Sequence, residues 1–130
     1  MKLKIYNVIN IYTTVKTLIE NENFNDSILK FKMLGILKSL EIPMTNYQTI
    51  QYDTIKELGI PVLTDNGEET GNYTIPSENK EAVEKYIQAM NNLGETEIDI
   101  SLDTFKASVI FNKGIAAEQL IHLYPIIEED

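Results

Sequence analysis

The chain has 130 residues, eleven Lys and no Arg, twenty acidic residues, no Cys and a formal charge of −9. That size fits one domain, and the missing Cys excludes disulfides, thiolate chemistry and Cys-based zinc sites. Acidity without Arg argues against duplex DNA, the lack of an apolar run of about eighteen residues argues against a membrane span, and the N-terminus shows no secretory signal, which leaves the cytoplasm as the default.

Lys2–Tyr6 alternates Leu3 and Ile5 with lysines, the pattern of a strand with one buried face. Asn7 is then placed to cap a helix whose stripe is Val8, Ile11, Tyr12, Val15, Leu18 and Ile19, ending near Glu20. A polar connection, residues 21–25, follows, with Phe24 tucked inward.

Asn25 or Asp26 caps the next helix. Its stripe runs Leu29, Met33, Leu37, Leu40, Met44 and Tyr47, and resumes at Ile55 and Leu58. Pro43 removes one backbone donor and disfavours helical angles at Ile42, which predicts two helices, 26–41 and 44–58, or one sharply kinked helix. Gly59 is placed for a left-handed helix end.

Two β-prone pieces, Val62–Thr64 and Asn72–Ile75, flank Asp65-Asn66-Gly67 and Gly71, the signature of a β-hairpin with a loose loop. Ser77 is placed to cap a returning helix, with Glu78 and Glu81 near its positive end. The stripe of that helix is Val83, Tyr86, Ile87, Met90 and Leu93, and Gly94 stops it. The two arms read as a helical hairpin with a β-hairpin tip. Either stripe serves as core, or as a seam for a second copy in a homo-oligomer.

Beyond Gly94, Ile98, Ile100 and Leu102 alternate with polar residues as one strand. Phe105, Ala107, Val109 and Phe111 suggest another, with a helical turn over 103–106 as the alternative. Residues 112–114 form a turn, 115–124 read as a short C-terminal helix, and Pro125 ends it. The fold class is α+β: a helical hairpin plus a small sheet from the N-terminal strand and the C-terminal strands.

Catalytic groups are scarce. His122 is the only histidine and has no nucleophile or carboxylate set beside it in sequence. Asp65, Glu68 and Glu69 lack the spacing of a calcium loop. Glu78, Glu81 and Glu84 sit near Lys80 and Lys85, as on a solvated helix face. The six glycines do not form a phosphate loop. These readings point to a non-enzyme with no metal and no cofactor. Charge is uneven: residues 1–40 hold six Lys against three acids, and residues 41–130 hold five Lys against seventeen. The acidic part is either a solvated surface or a face for a basic partner. Among seven tyrosines, Tyr52 lies off the main stripe and Tyr73 lies at the tip. With Asp65, Asn66, Glu68 and Glu69 they make the candidate partner-binding set.

The layout resembles a group of small proteins encoded by phages and prophages of low-GC Gram-positive bacteria. The shared features are the opening Met1-Lys-Leu-Lys-Ile-Tyr6, the helix end Ile55-Lys-Glu-Leu-Gly59 before a Gly/Asn hairpin, Glu81-Ala-Val-Glu-Lys-Tyr-Ile87, Glu97-Ile-Asp-Ile100, and the acidic end 120–130. Pro43 and the long tip depart from that layout. The resemblance implies phage origin and non-catalytic work in an infected cell. The expected role is a protein that binds a host bacterial protein, such as one of antiviral defence, and inhibits or redirects it. Alternatives are an oligomeric sponge for a nucleotide-like signal, held by Lys30, Lys32 and Lys38, and a virion-assembly factor.

Overall fold

A computed structural model describes residues 1–130. The chain divides into two compact units, 1–44 with 96–130, and 45–95. The fold is α+β, with long helices, short strand pairs and a short C-terminal helix.

In the first unit, β1 (Lys2–Lys4) pairs antiparallel with β4 (Glu97–Asp99), Leu3 opposite Ile98. The Met1 ammonium extends the pairing by donating to the Ile100 carbonyl at 2.9 Å. Helix α1 (Ile5–Glu20) starts directly after β1. The expected strand is therefore shorter, and Asn7 lies inside α1 rather than capping it. Lys4 precedes the helix without a side-chain cap, and the Ile5 N–H goes to the Thr96 carbonyl at 2.9 Å. Tertiary pairing thus replaces the local cap.

Helix α2 (Ser27–Leu58) begins as expected at Asp26, whose Oδ1 accepts the Leu29 N–H at 3.0 Å. A Lys113 ion pair at 2.8 Å holds the same carboxylate. Both interactions keep the Asp26 carboxyl below its usual range, the Lys113 hydrogen bond most of all. α2 runs through Pro43 without ending. Of the two expectations, a pair of helices or a single helix carried past Pro43, the single helix forms, because Leu40 and Met44, on either side of the proline, are both buried and anchor the two turns. The division between the compact units falls one residue beyond Pro43.

The predicted strand over 105–111 is only β5 (Phe105–Lys106), followed by the short helix α4 (Ala107–Ile110). A helical turn buries Phe105 and Ile110 together, which period-two alternation cannot do. α5 (Ala117–Leu123) passes into a 3-10 turn at Tyr124–Ile126, and β6 (Ile127–Glu128) pairs parallel with β5, apart from β1 and β4. The core of this unit joins Val8, Ile11 and Val15 of α1 to Met33, Ile36 and Leu40 of α2, closed by Phe105, Leu123 and Ile126.

In the second unit, the C-terminal half of α2 and α3 (Lys80–Glu95) are the arms of a hairpin, and β2 (Ile60–Leu63) with β3 (Glu69–Thr74) is its tip. Asn79, not Ser77, caps α3: its Oδ1 accepts the Ala82 N–H at 3.2 Å. Glu78 therefore precedes the helix, while Glu81 sits in its first turn. Gly94 is buried inside α3 and does not end it.

Candidate functional site

The six candidate residues all lie in the second unit and fall into two clusters. Asp65, Asn66, Glu68 and Glu69 occupy the loop end of the β-hairpin. β2 and β3 pair Ile60 with Thr74, Pro61 with Tyr73 and Leu63 with Glu69, with a register shift between Pro61 and Leu63. Thr64 closes the loop twice: its carbonyl accepts the Gly67 N–H at 2.9 Å, and its N–H donates to the Glu68 carbonyl at 2.8 Å. Asp65 and Asn66 are thus the central residues of the turn. Only Gly67, at φ 80°, takes the left-handed conformation, so Asn66 does not share the positive φ expected of it. Gly71 takes it again, at φ 85° within β3. Thr70 Oγ1 donates across the ladder to the Val62 carbonyl at 2.8 Å.

All residues from Leu63 to Asn72 are exposed, and three acids stand among them without a lysine. The carboxylates of Asp65, Glu68 and Glu69 belong to no ion pair or hydrogen bond seen in the fold. No group of three or more His, Asp or Glu side chains is arranged to hold a metal ion.

Tyr52 and Tyr73 form the second cluster, about 13 Å from Glu69 along the strand at 3.3 Å per residue. Their rings meet edge to face, with centroids 6.1 Å apart at 78°. The Tyr52 hydroxyl donates to the Gly71 carbonyl at 2.7 Å. Lys56, one helical turn after Tyr52, holds its ammonium 5.6 Å from the Tyr73 ring centre. The structure therefore brings Tyr52 to Tyr73 but gives the pair an internal task, docking β3 onto α2. Sequence reasoning missed Lys56, although its four-residue spacing from Tyr52 puts both on one helix face.

Beneath the hairpin, Ile55, Tyr73, Thr74, Ile75, Val83 and Tyr86 line an open recess of about 270 Å³. The Gln51 amide donates to the Tyr86 hydroxyl at 3.0 Å. Burial, and then neighbouring Tyr86, raises the Tyr47 hydroxyl above its ordinary pKa. The recess is smaller than most ligand pockets and carries no charged group.

His122 lies in the first unit, half-buried beside a shallow recess of about 210 Å³ lined by Asn10, Thr13, Thr14, Thr17, Glu118 and Gln119. Threonine hydroxyls, two side-chain amides and a single carboxylate surround it, and no side chain is hydrogen-bonded to it as a nucleophile would be to its base.

No family model matches this chain, and no curated protein or solved structure does either.

Proposed function

We propose that this is a phage-encoded, non-catalytic binding protein whose β-hairpin tip engages a basic surface on a host bacterial protein, a component of antiviral defence being the first class of target, and inhibits or redirects it in the host cytoplasm. One observation carries the reading: the exposed run from Leu63 to Asn72 presents Asp65, Glu68 and Glu69 on a loop held by its own backbone ladder and by Tyr52. Carboxylates that do nothing for their own fold are free to be desolvated against lysines or arginines of a partner. A loop already ordered loses little conformational entropy on binding.

The sponge alternative needs Lys30, Lys32 and Lys38 to converge on a phosphate. Residues 30 and 32 point about 160° apart on a helix of 3.6 residues per turn. Lys32 also lies over the Phe105 ring, 5.1 Å from its centre. No observation favours that reading.

The test is capture by the tagged chain from Gram-positive lysate, with stoichiometry read by native mass spectrometry. One host protein recovered at a fixed ratio is the expected result. The double variant Glu68→Lys/Glu69→Lys should weaken that capture by about tenfold or more, as removal of charge complementarity does, with the melting curve unchanged. Sub-stoichiometric action on the target would defeat the inhibitor reading, and capture indifferent to the double variant would remove the tip from it.

A further inference from the structure

We propose that residues 28–42 of α2 form an antiparallel interface with the same segment of a second copy of this chain. The idea does not rest on the role assigned to the hairpin tip. α2 carries two apolar stripes. Leu29, Met33, Ile36, Leu40 and Met44 are buried. On the opposite side, Ile28, Phe31, Leu34 and Ile42 are 83%, 79%, 54% and 73% exposed. No other element of the first unit covers them.

The spacing says what kind of object fits. Ile28, Phe31, Gly35, Lys38 and Ile42 follow steps of three, four, three and four, and fall within about 80° of arc on the helix. That is the seam by which one helix packs on another. Gly35 sits at its middle. A mid-helix glycine weakens a helix relative to alanine, and a Cβ at this position would meet nothing within 4 Å. The packing of the single chain therefore gives no reason for it, whereas a helix crossing closely at this point does.

The occupant follows from self-complementarity. Setting Phe31 against Ile42 of the other copy puts Gly35 against Lys38, whose apolar stem covers the gap while its ammonium reaches water. Lys30 and Glu41 share one flank of the seam, about 20° apart around the helix. An antiparallel two-fold brings Glu41 of one copy beside Lys30 of the other, twice. Anchor, gap and both charges thus recur on a single surface, as a symmetric contact requires. The four exposed side chains offer roughly 500 Å² if each fully exposed one presents about 175 Å². That matches the larger patches seen on monomers, which often have a function. Adding the stems of Lys30 and Lys38 brings it toward the roughly 800 Å² per partner of a standard interface.

The experiment is sedimentation velocity and light scattering of the full chain over a wide dilution series. The expected result is a species of twice the 14.8 kDa chain mass that dissociates on dilution. Phe31→Glu should weaken association by about tenfold or more, as loss of a buried aromatic anchor does, and Gly35→Gln should act in the same direction. Both positions are exposed, so circular dichroism and thermal unfolding of the monomer should persist in each variant. Glu41→Lys should weaken the dimer at low salt, and Lys30→Glu in the same chain should restore it. A monomer at every concentration overturns the proposal, even where a different protein shields Phe31. A dimer indifferent to Phe31→Glu and Gly35→Gln overturns it equally, because its interface then lies elsewhere.

Discussion

A Cβ built on Gly59 would stand 2.3 Å from the Thr74 carbonyl oxygen and 2.8 Å from that of Ile55. Both are backbone atoms that cannot step aside. Gly59 was expected to end α2 in a left-handed conformation, but its φ is not positive, and its N–H still reaches the Ile55 carbonyl at 2.7 Å. Glycine is needed there because β3 passes so close. Gly59→Ala should therefore destabilise the second unit by about 1–3 kcal/mol, the cost of overpacking, as measured by urea unfolding. A neutral result would mean that the hairpin can step away from α2. The carboxylates of Asp26, Glu128 and Asp130 are each lowered mainly by a hydrogen-bonding side chain: Lys113, Lys106 and Ser108 in turn. Their folded pKa values lie below the unfolded ones. Their stabilisation is thus complete above the unfolded values and disappears as pH falls through the folded ones, in the acid range below about pH 4. Lys106 is shifted the other way by Glu128, so its contribution holds at neutral pH and is lost only in strong alkali. Lys113→Met should flatten the acid limb of the stability profile, and an unchanged limb would detach Asp26 from it. Asp26 is half-buried and the other groups are exposed, so the effect is small.

At the scale of elements, α2 is where local rules and packing disagree most. Pro43 leaves the Ser39 carbonyl without its helical donor, a defect of about 3 kcal/mol in an isolated helix. Leu40 and Met44 are buried on either side of it, and that packing keeps the helix going. Pro43→Ala should raise the helical signal in circular dichroism and stabilise the chain by up to about 3 kcal/mol. No gain would show that the first unit requires the break in hydrogen bonding. The hairpin tip was easier to read, because Gly67 and Gly71 mark the places where the backbone must turn left-handed. Its strands run longer toward α2 and the loop than the β-prone stretches alone suggested, Ile60–Leu63 and Glu69–Thr74, since ladder hydrogen bonds recruit Glu69 and Gly71 against propensity.

At the scale of the whole molecule, burial is unequal. Every member of the main buried cluster belongs to the first unit. In the second unit only Ala82 and Gly94 are buried. Residues 45–95 should accordingly open at lower free energy than the rest. Amide hydrogen exchange should show α2 protected most strongly up to Met44 and less strongly beyond it, with β2 and β3 exchanging earlier still. Uniform protection along α2 would mean that the two units unfold as one.

The sequence alone determined the class of fold, the capping of α2 by Asn25 or Asp26, the turn at residues 65–67 and the burial of one stripe on α1 and on the start of α2. These rest on local chemistry and short-range periodicity, which a linear chain displays directly. The acidic run of the candidate site was legible for the same reason. Tertiary structure decided the rest. It carried α2 through Pro43, because a buried anchor on each side outweighs a lost hydrogen bond. It turned 107–110 into a helix, because Phe105 and Ile110 must reach one core. It gave Tyr52 to Gly71, and it left Ile28, Phe31 and Ile42 in water. That a second apolar stripe on α2 stays uncovered shows only once the neighbours from distant parts of the chain have docked.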